Sequence, residues 1–242
     1  MKQLGTVKEV LFHQSVWQRV VAAIDMCRQF IHLWVAKVSI FQKKQSIILV
    51  FLSFIRNFAC KSIEIKIMTD FKTLAQMRRS HRKFTTQEID ADDVRLILRA
   101  ALMSPTSKSQ RAWQFVVVDD KTDLEKLSDA KEMGGQFIKG APLAIVVLGD
   151  PVQNDCWVED GSIAAISMQY QAEDLGLGSC WVQMRGRGLS DGTSADTVIR
   201  GILDIPENLS VLCVLAFGHK ADERQPQNED KLKWENVHLG KF

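Results

Sequence analysis

Metal-ligand spacing is missing from this 242-residue chain. Its five cysteines (Cys27, Cys60, Cys156, Cys180, Cys213) form no CxxC pair, and its five histidines are equally dispersed. A structural zinc site of ordinary spacing and a disulfide-framed secreted scaffold are both disfavoured. An odd cysteine count without a signal peptide fits a reducing, cytoplasmic setting. Net charge is nearly absent as well: 31 Lys/Arg stand against 29 Asp/Glu, a formal +2. Bulk nucleic-acid binding is therefore not expected, and a local cluster of one sign needs a local explanation. The apolar run Gln45–Ile55 holds 11 residues, where a bilayer-spanning helix needs roughly 20.

Turn punctuation is missing from one part of the chain only. All five prolines, and every glycine except Gly5, lie after residue 67. Residues 1–67 also carry ten Lys/Arg against three Asp/Glu, while the remainder is net acidic. A compact domain segment of that length normally contains Gly, Pro or Asn-Asp breaks. Three readings stay open for residues 1–67: a basic membrane-surface anchor, a partner-binding extension, or an addition upstream of a protein that starts at Met68. The expected organisation is an extension over 1–67 and one domain over 68–242.

After Met68, helix and strand signals interleave. Asp70 can cap a helix running to about Arg79, and Asp90 a second with Val94, Ile97, Leu98, Ala101 and Leu102 on one face. Trp113–Val118 reads as a strand, Lys121–Ala130 as a short helix, and Pro142–Leu148 as a strand buried on both faces. Trp157–Leu175 is the longest helix, with Ile163, Ala164, Ile166, Ser167 and Tyr170 nearly all small or apolar, as expected of a central buried helix. Leu175–Ser179 reads as a tight turn into a strand over Cys180–Met184. A helix over Ala195–Leu203, a buried strand over Val211–Phe217 and a polar, extended tail follow. About 175 residues suffice for one sizeable core.

Three stretches carry chemistry. Met77–Phe84 packs three arginines, a lysine, a histidine and a hydroxyl into eight residues. Such a segment repels itself unless an anion or water neutralises it, and the planar donor fork of arginine suits phosphate oxygens. Its plain alternative is a solvated helix C-terminus. Ser104–Trp113 joins a helix to a strand and offers hydroxyls at Thr106, Ser107 and Ser109 with a cation at Lys108. It can hydrogen-bond a heteroatom-rich ring, or it can be an ordinary loop capped by its own hydroxyls. In Leu175–Trp181, the glycines allow close backbone approach to a flat ligand, or simply terminate a helix. None of the three is specific alone.

Together, in this order and spacing, they resemble the nitroreductase family of FMN-dependent oxidoreductases. Arg78-Arg-Ser-His-Arg82 is similar to that family's opening RRSxR element, Ser104–Trp113 to its (A/S)PSxxNxQPW loop, and Leu175–Trp181 to its LGLGSCW segment. Gly218-His219 and Lys231–His238 resemble its closing motifs. The likeness covers residues 68–242. Ser109 stands where the family usually has Asn, and Arg111-Ala112 replaces Gln-Pro; the flavin contact made by that Asn is the one put in question.

The resemblance implies an α+β fold, a central mixed sheet wrapped by helices, in an intertwined homodimer with FMN at the interface. It implies that Arg78 and Ser80, helped by Arg79 and Lys231, hold the FMN phosphate. Arg82 and Lys139 then sit at the pyrimidine edge of the flavin. Pro105, Thr106, Ser107 and Ser109 come from the second subunit, and the backbone around Trp181 and Gln183 faces N5. The implied activity passes hydride from NADH or NADPH to an electron-poor small molecule, nitroaromatic or quinone, in ping-pong order. Because the cofactor supplies the reactive atom, no catalytic side chain is expected. Two alternatives remain: a flavin-binding, membrane-associated module of low turnover, and a dehalogenating or ring-cleaving relative. Gly186–Thr193 is the candidate mobile segment. His219 is expected to be structural, and Cys180 an inert buried thiol.

Overall fold

A computed structural model describes residues 70–242. The extension, its apolar run and the proposed start at Met68 lie outside the described residues.

Local sequence sets the element boundaries. α1 (Phe71–Met77) begins at Asp70, whose carboxylate accepts from Thr73 N. It stops two residues short of the expected Arg79, because Arg78 leaves the helical region at φ −59°, ψ 115°. Asp90 caps α2 (Ala91–Leu102) by accepting from Asp92 N. After β1 (Trp113–Val118), Asp120 caps α3 (Lys121–Ser128). β2 (Leu143–Gly149), the long α4 (Trp157–Asp174) and β3 (Leu177–Gln183) follow. Ser194 caps α5 (Ala195–Leu203), and β4 (Ser210–His219) closes the sheet. Caps of this kind stabilise a helix by about 1 kcal/mol each. From Glu223 onward the tail is exposed, with short 3-10 turns at Glu229–Lys231 and Trp234–Asn236.

Among the described residues the sheet order is β1-β2-β4-β3, and every strand pairing is antiparallel. The parallel component of the expected mixed sheet is a single bridge, Ser80 to Ser179. Helices cover both faces. On one, α2 and α4 pack on Leu143, Ile145 and Val147. On the other, α3 and α5 pack on Ala144, Val146 and Leu148. Successive strand side chains point to opposite faces, so β2 must be apolar throughout, and all seven of its residues are buried.

Two local expectations are revised. Ile163 is 39 % exposed; at 100° per residue it lies opposite the buried stripe Asp160, Gly161, Ala164, Ala165, Met168, Gln169 and Ala172. The supposed turn before β3 is already strand: Gly178 pairs with Gly218 and Ser179 with Phe217. Gly176, at φ +78°, ends α4. Gly178 has a different duty, since a Cβ there would sit 3.0 Å from His81 Cβ. No helix among the described residues is long and apolar enough to cross a membrane.

Candidate functional site

Beyond α1 the chain runs extended along the start of β3. His81 N donates to Ser179 O at 3.0 Å, next to the Ser80–Ser179 bridge. In an extended segment, alternate side chains face opposite ways, and the arginine-rich stretch divides accordingly. Arg78, Ser80 and Arg82 all act on the Cys180 thiol. Burial pushes that thiol up, opposed by the charge of Arg82, a hydrogen bond from Ser80 and the charges of Arg78 and Arg224. Arg79 and His81 face the other way. Arg79 Nη1 donates to Gln225 O, and the His81 ring meets Asp222 at 3.1 Å. Arg79 is thus bonded away from the group that the sequence places it with.

Among the described residues, Arg78 and Arg82 have no carboxylate within ion-pairing distance. The Arg82 guanidinium carbon stands 5.8 Å from the Phe137 ring. Phe137 leads into the 3-10 turn Ile138–Gly140, which carries the exposed Lys139. Arg224 does have a partner, Asp222 Oδ2 at 2.7 Å. Two guanidiniums without a counter-charge, and a hydroxyl between them, fit an anionic group of phosphate chemistry.

Further along β3, Trp181 Nε1 donates to Gln183 Oε1 at 3.0 Å, and Gln183 Nε2 donates to Arg185 O at 2.8 Å. Lys131 Nζ donates to Gln183 O at 3.1 Å. Burial, with Arg187 nearby, holds the Lys131 ammonium below the usual lysine range. Gly186–Thr193 forms a closed loop: Leu189 N donates to Thr193 O, and Glu132 N donates to Gly188 O.

The hydroxyl loop lies at the opposite end of α4. Ser107 N donates to both carboxylate oxygens of Asp160, at 2.9 and 3.1 Å, and Asn154 Nδ2 donates to Asp160 Oδ2 at 2.7 Å. Asp160 is buried in the first turn of α4. Ser179, beside the arginines, accepts from Gln169 nine residues on, about 14 Å along the helix axis. Pro105, Thr106, Ser107 and Ser109 therefore sit apart from Arg78, Ser80 and Arg82 within one chain. Lys108, Ser109 and Arg111 hold left-handed backbone, φ 52°, 54° and 51°. Such conformations cost about 1–3 kcal/mol each for non-glycine residues, so the Asp160 anchor holds a strained loop. Lys231 lies exposed in the tail, in the 3-10 turn Glu229–Lys231.

Sequence reasoning did not single out Arg224, Asp222, Lys131 or Asp160. Arg224 and Asp222 fall in a stretch that reads only as polar tail. Lys131 gave no signal, and Asp160 looks like an ordinary acidic residue in a helix first turn. His219 Nε2 lies 3.3 Å from Glu88 O, in keeping with a structural role. Among the described residues, no group of three or more His, Cys, Asp or Glu could hold a metal ion.

Residues 75–134 and 126–219 match the family model described as "Nitroreductase family". A protein of Archaeoglobus fulgidus with the provisional name NADH dehydrogenase/NAD(P)H nitroreductase is 33% identical over 170 residues, spanning 68% of this chain and 94% of its own. The solved FMN-dependent nitroreductase of Clostridium difficile R20291 is 44% identical with a TM-score of 0.69, covering 70% of this chain and 98% of its own. A structure from Desulfovibrio desulfuricans, solved in complex with FMN, shares the fold at 23% identity and TM-score 0.60, covering 72% and 98% of the two chains. The motif order, the antiparallel sheet between helical layers and these matches agree: the chain belongs to the nitroreductase family.

Proposed function

We propose that the protein is an FMN-dependent oxidoreductase that passes hydride from NADH or NADPH to an electron-poor nitroaromatic or quinone. The observation that carries this reading is a pair of arginines, Arg78 and Arg82, that flank Ser80 on an extended segment and lack any carboxylate partner among the described residues. The 44%-identical solved relative is FMN-dependent by name, which supports the choice of ligand.

Bound FMN would supply the hydride-accepting atom. The chain's own part is to bind, orient and polarise. Arg78 and Ser80 take the phosphate, with Arg224 beside them. Arg82 and Lys139 present positive charge to the pyrimidine edge, where negative charge develops on reduction, and so favour the reduced cofactor. The Trp181–Gln183 backbone, fixed by its own side-chain bonds and by Lys131, borders the ring. The loop carrying Pro105, Thr106, Ser107 and Ser109 lies at the far end of α4, so a second copy of the chain would bring its loop to the ring. The site is then completed only in a homodimer.

Initial-rate kinetics test the reaction order. With NAD(P)H and a quinone or nitroaromatic varied together, parallel double-reciprocal lines are expected. Intersecting lines would overturn the ping-pong order, and absence of any NAD(P)H oxidation with FMN present would overturn the enzyme reading.

A further inference from the structure

The side of the Arg78–Arg82 segment turned away from the arginine cluster is zipped to the chain that follows β4. Gln227 N donates to Gln76 O, Ala221 N donates to Lys83 O, and Thr85 N donates to His219 O. An antiparallel bridge joins Phe84 to Lys220. At the centre of this strap is one side-chain contact, His81 Nδ1 to Asp222 Oδ1 at 3.1 Å, with His81 only 2 % exposed. The other oxygen of Asp222 holds Arg224, whose charge reaches Cys180 together with those of Arg78 and Arg82. One carboxylate therefore ties the buried histidine that lies between Ser80 and Arg82 to Arg224.

Other charged groups near this contact have partners of their own. Glu173 and Lys220 pair with each other at 2.7 Å, and Glu223 is exposed to solvent. Asp222 is therefore the carboxylate bonded to His81 among the described residues. Removing the contact leaves a buried imidazole without its partner and frees Arg224. The segment then keeps the Arg79–Gln225 contact and its backbone bonds to the strap, but loses the buried contact next to Ser80, and Arg78 and Ser80 are less firmly oriented.

We propose that His81 and Asp222 form a latch that positions Arg78, Ser80 and Arg224 for the FMN phosphate, making the strap after β4 part of the anion grip. The latch rests on the flavin reading given above. His81 and Asp222 are positioning residues; neither needs to touch the cofactor.

Riboflavin, which lacks the phosphate, separates positioning from general stability. The dissociation constants of FMN and riboflavin are measured by flavin fluorescence on the full chain and on His81→Leu, His81→Asn and Asp222→Ala. Asn keeps a donor near the Nδ1 position. The latch predicts that His81→Leu and Asp222→Ala weaken FMN about tenfold or more, leave riboflavin affinity unchanged, and that His81→Asn restores most of the FMN affinity. Should the buried His81→Leu variant fail to fold, Asp222→Ala, at a side chain 21% exposed, carries the test. Equal weakening of both flavins, or no change in either, overturns the latch. A parent protein that binds neither flavin overturns the flavin reading itself, and the latch with it.

Discussion

Arg82 offers the sharpest test at the scale of the single residue. Its guanidinium has no carboxylate partner among the described residues and stands over Phe137. Arg82→Ala should weaken FMN binding by about 1.5–3 kcal/mol, the usual worth of a charge-assisted hydrogen bond. A fluorescence titration reads this, and an unchanged affinity together with an unchanged rate of flavin reduction would refute the role. Ser109 is a second test. It stands where the family usually has Asn and holds φ 54°, a conformation Asn tolerates better than most residues. Ser109→Asn is expected to raise thermal stability, by less than about 1 kcal/mol, and to tighten flavin retention; a lowered melting temperature would contradict this. At this scale the sequence was legible where charge is dense. Arg78, Ser80 and Arg82 stand out because their local charge is visible in five letters. Lys131 and Arg224 do not, because their roles come from neighbours far away along the chain.

Among the elements, the strained loop Thr106–Arg111 and the strap after β4 each engage one carboxylate, Asp160 and Asp222. Asp160→Asn would replace an acceptor of Ser107 N and Asn154 Nδ2 with a group that must present its own amide to one of these donors. A loss of about 1.5–3 kcal/mol in denaturant unfolding is expected, with faster amide exchange at Ser107; unchanged exchange there would dismiss the anchor. Asp222 gives a pH prediction. The His81 hydrogen bond, with Arg224 and His81 charge behind it, holds its carboxyl below the ordinary value of 3.8. A depressed folded value contributes stability that is fully present above the unfolded value and is lost as pH falls through the folded one. Acid unfolding of Asp222→Asn should therefore lack an increment that the parent loses below about pH 4; identical acid profiles would count against it. Helix and strand positions were mostly readable, since capping Asp and Ser residues and the apolar run of β2 speak locally. The start of β3 was not. Gly178 serves the close approach of His81, a tertiary fact that looks in sequence like a turn.

For the whole molecule, the proposed site needs a second copy, because within one chain the Ser107 loop is separated from the arginines. The exposed tail, with Trp234 at 70% and Leu239 at 94% exposure, supplies apolar surface for such an assembly. Sedimentation of the protein should give a dimer at micromolar concentration, and a monomer that still holds FMN would contradict the shared site. The fold class was readable from interleaved helix and strand signals. The direction of the strands was not, because periodicity reports burial and says nothing about pairing partners. The most direct measurement is the absorption spectrum of the purified protein before and after NADPH or NADH is added. Oxidised-flavin bands that bleach on addition, with the pigment released as FMN on denaturation, are expected. A colourless protein that takes up no FMN when it is supplied in excess would contradict the central claim.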